Sequence, residues 1–214
     1  MELKYMFDYV KGILDKENAA REQGIDLSRE SIQFSANSIR AVHRGDFEES
    51  ERLLGESRAT VMKVQGILKP YPRIFYGGFL QDAEKEYAEA ATTNALINGD
   101  PLPMPEDLGV GVAPYLNGLG EAVGEMRRHV LDLIRLNRLE RGEEILGLMD
   151  DIYYLLASVD YPPAITGGLK RTNDMVRGVL ERTRGDLTTA MRRLGLEQTM
   201  RELEEKLADW NASK

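Results

Sequence analysis

Proline placement constrains this chain more than any other feature. All eight prolines in 214 residues fall at a few sites: Pro70 and Pro72, then Pro101, Pro103 and Pro105, then Pro114, then the pair Pro162–Pro163. Proline lacks a backbone donor and its ring clashes with the preceding helical turn, so these sites mark the joints of a helical chain. The stretches between them repeat apolar residues at three- and four-residue spacing. They predict a long first segment over residues 3–44, continuous or broken at Gly24 and Asp26. A helix capped by Asp46 should follow and run to Lys69, then one over 74–98 and one from Pro114 to Arg141. Gly142 separates a further helix over 143–159, another starts near Ile165 and passes Arg182, and a break near Gly195 precedes the last. That last helix carries Leu203, Leu207 and Trp210 as an i, i+4, i+7 stripe. Such a stripe closes the subunit's own core, its commoner fate, or meets another subunit. No strand, repeat or low-complexity tract is evident. The expected fold is all-α: an antiparallel bundle of about six to seven helices, one domain over residues 1–214.

Composition narrows the chemistry. The net charge of −8 argues against a broad basic face for gripping duplex DNA, although a local basic lining could still meet phosphates. There is no cysteine, which removes disulfides, thiolate zinc sites and cysteine nucleophiles together. The opening residues lack an apolar run, and no stretch approaches a bilayer span, so a cytoplasmic protein without membrane association is expected. Gly109-Val-Gly111 and Gly118-Leu-Gly120 fail as dinucleotide loops, because Pro114 and Val123 stand where the third glycine belongs. The only histidines are His43 and His129. Glu125 is followed three residues later by Arg128, so the Glu-x-x-His motif of a di-iron bundle is missing. His129, four residues after Glu125, reads as a local helix pair, and His43 suits the negative end of a helix dipole.

The informative acids lie in Asp82-Ala-Glu84-Lys-Glu86-Tyr87-Ala88-Glu89-Ala90. On a helical projection Tyr76, Phe79, Ala83, Tyr87, Ala90 and Ile97 form a core face. Glu86 lies about 60° from that face and Glu89 about 120°, with Asp82 between them. Like charges so placed repel, and more strongly when partly desolvated; a hard divalent cation such as Mg²⁺ or Mn²⁺ would turn the repulsion into attraction. The ordinary alternative is a solvated acidic edge answered by Lys85. A second acid comes from Met149-Asp150-Asp151-Ile152, where periodicity sends Asp150 into water and Asp151 to the flank of the apolar stripe. A third candidate is Glu125, with Gly120 and Gly124 nearby to permit close helix approach.

These segments resemble the translin superfamily. Glu86-Tyr87-Ala88-Glu89-Ala90 is similar to the Glu-Tyr-Val-Glu-Ala block of its catalytic branch, translin-associated factor X. Ala113-Pro114-Tyr115-Leu116-Asn117-Gly118-Leu119 through Gly124-Glu125-Met126-Arg127-Arg128 resembles the next family helix. Asp151-Ile-Tyr, then Leu169-Lys170-Arg171, Asp174 and Val176-Arg177, follow the shape of its late helices. The resemblance implies a closed homo-oligomeric barrel, an octamer, that holds RNA inside and cuts it with Mg²⁺ (or Mn²⁺). Single-stranded RNA is the preferred substrate and short duplex a possible one. It also implies Glu86, Glu89 and Asp151 as catalytic metal ligands, with Glu125 as a further candidate. Arginine forks match phosphate, so Arg127, Arg128, Lys170, Arg171 and Arg177 are candidate RNA contacts. The alternatives are a non-catalytic RNA- or single-stranded-DNA-binding scaffold and a helical protein-interaction module.

Overall fold

A computed structural model describes residues 2–213. Among these residues there are nine helices and no strand. Six are long: α1 (Glu2–His43), α2 (Phe47–Leu68), α4 (Phe79–Asn98), α6 (Val112–Arg135), α7 (Leu139–Ser158) and α9 (Leu169–Ala212). The other three, α3 (Pro72–Phe75), α5 (Pro105–Leu108) and α8 (Pro163–Thr166), are single turns in the joints. Each opens on a proline at its first position, where the missing donor costs nothing. The proline clusters therefore do separate the long helices, as expected. Asp46 caps α2 by accepting from the backbone N–H of Glu49.

Several predicted boundaries move. α1 runs unbroken through Gly24, a buried close-approach point: a Cβ there would sit 3.1 Å from Phe79 and 3.2 Å from Leu68. α4 begins only at Phe79, because Gly78 takes a left-handed φ of 100°. Tyr76 is thereby excluded from the helix and is exposed, not core. The α6–α7 break falls at residues 136–138, where Asn137 adopts a φ of 53°, and not at Gly142. Gly142 is buried inside α7, and a Cβ there would meet Leu187 at 3.1 Å. Gly195 does not interrupt α9. Leu203, Leu207 and Trp210 are exposed, so that stripe does not close the subunit's own core. At the opposite end Leu3, Tyr5, Phe7 and Tyr9 are exposed too, and burial along α1 begins at Ala20.

The core lies where α4 and α6 meet the other helices. Leu68, Leu80, Tyr87, Leu119, Met126, Met149, Val176 and Leu187 belong to one buried cluster. α1 packs on α2 and α4, α4 on α6, and α6 on α7 and α9. The α1–α2 seam is unusually polar. Ser31 and Ser35 each lie 2.8 Å from the hydroxyl of Ser57, and Ser38 lies 2.9 Å from that of Ser50. Asn94 of α4 donates to Ser50, extending the ladder into a third helix. Small side chains let the backbones close up, and the mutual hydrogen bonds offset the cost of burying hydroxyls. Glu84 is buried on α4 and accepts from Gln65 and from the Gly111 N–H, which fastens the end of the proline-rich connector. None of the helices is long and apolar enough to cross a membrane.

The tightest approach between two backbones that matters for function is at Gly118 of α6. A Cβ there would fall 2.5 Å from the carbonyl oxygen of Lys85 and 2.9 Å from the backbone nitrogen of Glu89. Of the two glycines expected to permit close approach, Gly120 does, its Cβ position lying against the Thr172 side chain, whereas Gly124 has open space around it. Gly118→Ala should therefore lower stability by about 1–3 kcal/mol, whereas Gly124→Ala should raise it by up to about 1 kcal/mol. Urea denaturation of both variants checks this, and equal effects would contradict the contact.

Candidate metal centre

Three carboxylates meet across the α4–α6 contact. Glu86 and Glu89 are one turn apart on α4, and Glu121 follows Gly118 by one turn on α6. Each can place one carboxylate oxygen within 4.8 Å of the other two, and all three are half-buried. Gly118 sets this distance, because it lets α6 rest on the backbone of Lys85–Glu89. Oxygen donors at this spacing suit a hard divalent cation. The residues present thus fit Mg²⁺ or Mn²⁺.

The charges around the three acids are unevenly answered. Lys85 Nζ donates to both oxygens of Glu121, at 2.7 and 2.8 Å, and lies 3.2 Å from Glu86. Burial pulls the Lys85 pKa down, but the carboxylates of Glu121 and Glu86 outweigh it and hold the ammonium above its usual range. At the other end His43, its side chain 3% exposed, donates from Nε2 to Glu125 at 2.6 Å. That hydrogen bond, against the opposing effect of burial, holds the Glu125 carboxyl below the ordinary range. Glu89 sits between these pairs. Desolvation, then the fields of Glu86, Glu121 and Glu125, push its pKa up to about 8, with only Lys85 opposing. A divalent ion is the ligand that would relieve that desolvated crowding.

Of the acids expected from the sequence, the structure brings Glu86 and Glu89 together and places Glu125 next in line, paired with His43 and not with His129. Asp151 stands apart. It is exposed on α7, which packs chiefly on α6 and α9. The periodic assignment of the two aspartates is reversed, since Asp150 reaches the neighbouring helix and meets Arg184 at 2.6 Å. The cause is the composition of the stripe. Leu155 is exposed and Leu148 and Val159 are only half-buried, while the buried face is Gly142, Ile145, Met149, Ile152 and Leu156. Counting the former residues rotates the projected core direction toward the wrong flank. The acid that sequence reasoning missed is Glu121. Gly118, Glu121 and Glu125 share one face of α6 at i, i+3, i+7, but only the contact of Gly118 with α4 singles that face out.

A cleft of about 600 Å³ opens beside the acids, lined among others by Asp82, Lys85, Asn117, Glu121 and Arg171. Arg171 is exposed at its wall. Arg128 is exposed and 3.7 Å from Glu125. Arg127 is bound to Thr183 and Asp186 of α9, and Arg177 pairs with Glu181. Lys170 is exposed but lines a different hollow, with Tyr161 and Asn173.

Comparison with known proteins places the fold. No family model matches the chain. An uncharacterized protein of Methanocaldococcus jannaschii is 29% identical over 205 residues, covering 95% of this chain and 89% of that protein. A structure of AfC3PO in complex with duplex RNA is 31% identical, with a TM-score of 0.79, covering 90% of this chain and 98% of that one. The fold is also shared with apo-NeC3PO, at 22% identity, a TM-score of 0.79, and coverage of 86% of this chain and 96% of that one.

The raised pKa of Glu89 has a consequence for stability. An acid with a pKa near 4.5 when unfolded and about 8 when folded takes up a proton on folding between those values. Stability contributed by the protonated form is therefore present at low pH and lost as pH rises from about 4.5 through 8. In EDTA, Glu89→Gln should stabilise the protein at pH 9 by roughly 2 kcal/mol, and much less at pH 5. Denaturation midpoints at the two pH values measure it; a pH-independent difference would contradict the shift.

Proposed function

Because the chain belongs to the translin/C3PO superfamily, we propose that it is a metal-dependent endoribonuclease of the superfamily's catalytic, translin-associated factor X branch. Glu86, Glu89 and Glu121 hold its Mg²⁺ or Mn²⁺. The observation that carries this reading is the convergence of three half-buried carboxylates, with Glu89 desolvated among them, beside a cleft lined by Lys85 and Arg171. When bound, the metal supplies Lewis-acid polarisation of a phosphodiester oxygen and a water of lowered pKa. The chain's own residues do the rest. Glu86 and Glu121 orient the coordinating oxygens from opposite helices, and Glu89 contributes the charge that burial otherwise disfavours. Arg171 offers a phosphate fork at the cleft wall, while exposed Arg128 and Lys170 are further candidate contacts outside that cleft. Arg127 and Arg177, already paired within the subunit, contribute to RNA only by exchanging those partners. Neither histidine is needed as a base.

The substrate on this reading is RNA, mainly single-stranded with short duplex admitted, acted on in the cytoplasm within a closed homo-oligomer, an octameric barrel. The complex of AfC3PO with duplex RNA supports an RNA ligand. The exposed apolar residues at the free ends of α1 and α9 support assembly, since a lone subunit leaves them in water. A second reading, an RNA-binding scaffold without chemistry, is favoured by the Lys85 ammonium, which already answers two of the three acids. It predicts RNA binding that survives EDTA and no cleavage with any divalent ion.

A labelled single-stranded RNA oligomer with Mg²⁺ separates the two. Glu86→Ala/Glu89→Ala and Glu121→Gln should each lower the cleavage rate by at least about 100-fold. Asp151→Asn, outside the cluster, should stay within about threefold of wild type. Wild-type cleavage by the double variant would sink the site. A large loss in Asp151→Asn with none in Glu121→Gln would restore Asp151 as the third ligand.

A further inference from the structure

Lys85 gives the candidate centre a cation of its own. Its Nζ lies against Glu121 at 2.7 Å and Glu86 at 3.2 Å, two of the three acids that can converge on a divalent ion. Its side chain is 23% exposed and also lines the cleft whose wall carries Arg171. Carboxylate oxygens donated to by an ammonium are poorer metal ligands, because the positive charge occupies their lone pairs and repels a second cation. Lysine is a point charge on a flexible four-carbon stem, so it can leave one set of anions for another without moving its helix.

We propose that Lys85 is an internal competitor for the metal: a divalent ion displaces it from Glu86 and Glu121, and it then takes an RNA phosphate in the adjoining cleft. The proposal rests on the reading that Glu86, Glu89 and Glu121 hold the ion. It makes metal and RNA binding mutually reinforcing. The ion frees the ammonium for phosphate, and phosphate removes the ammonium from the acids, so each ligand strengthens the other by the same factor. The opposite role is a static clamp, in which Lys85 merely ties α4 to α6 and keeps the acids in place. The two roles predict opposite signs when the charge is removed. A clamp's loss loosens the site and weakens the metal, whereas a competitor's loss strengthens it.

The test is Mn²⁺ binding to the full chain, followed by electron paramagnetic resonance of the free ion, in wild type, Lys85→Met, Lys85→Gln and Glu89→Gln. Thermal melts confirm that each variant is folded. Both lysine variants should bind Mn²⁺ about tenfold more tightly than wild type. A second readout is the affinity for a short RNA in Ca²⁺ as salt is varied, where the slope of log affinity against log salt should shrink by about one in both variants. Unchanged or weaker Mn²⁺ binding by both overturns the proposal, and so does an unchanged salt slope. Failure of the underlying metal reading looks different: wild type and Glu89→Gln then bind Mn²⁺ equally poorly.

Discussion

The site depends on one steric fact, the absence of a side chain at Gly118. Two helices that cross stand about 8–10 Å apart, at a distance set by the side chains at the contact. Here a Cβ on α6 would clash with the α4 backbone, 2.5 Å from the Lys85 carbonyl oxygen and 2.9 Å from the Glu89 nitrogen. The helices therefore meet backbone to side-chain-free backbone, and residues one turn along each, Glu86 and Glu89 on one and Glu121 on the other, converge. The acids are thus positioned by packing rather than by loop conformation. Rigid helices hold a coordination geometry better than mobile connections do. The rest of the fold serves that contact. The serine ladder of α1 and α2 reaches α4 through Asn94, and α7 and α9 brace the far side of α6.

Convergence has an electrostatic cost, and its distribution along the row of acids is informative. Glu121 is bound by Lys85 and Glu125 by His43, so both acids of the α6 face have a partner within the subunit. Glu89, on the facing helix, is desolvated and receives the fields of the other three acids, with Lys85 opposing them. A desolvated acid at a packed seam, crowded by like charges, is a form of stored destabilisation, of the kind proteins keep where a ligand is to supply the missing charge.

How much of this was legible in the sequence follows from what each signal measures. Proline reports on the backbone, and it located the joints before α4, α6 and α9 well. Glycine in a helix is ambiguous, because it marks either an ending or a close approach. Gly24 and Gly142 are close approaches that read as breaks, and Gly195 is neither. The real α6–α7 break rests on Asn137 in the left-handed region, a role asparagine tolerates but does not announce. The Glu86 and Glu89 pair was visible because both acids sit in one turn beside a core stripe. Glu121 was not, because selecting it requires knowing which glycine of α6 touches α4, and that is a property of two helices together.

The aspartate reversal on α7 has a related physical origin. Periodicity weights every apolar residue as core, but Tyr154 and Leu155 are exposed, and so are the large apolar side chains at the free ends of α1 and α9. A chain that leaves apolar residues exposed biases any estimate of where its core lies. The direction of the bias points toward the exposed apolar surface. On α7 it shifted the apparent core toward Leu148, Leu155 and Val159, and so made the solvent-facing Asp151 look like the flanking acid. The same reasoning explains why the Trp210 stripe, periodic and apolar, is exposed along a helix that has outrun the bundle. Hydrophobic periodicity gives the orientation of a face, while burial within the subunit depends on whether another helix of that subunit is there to receive it.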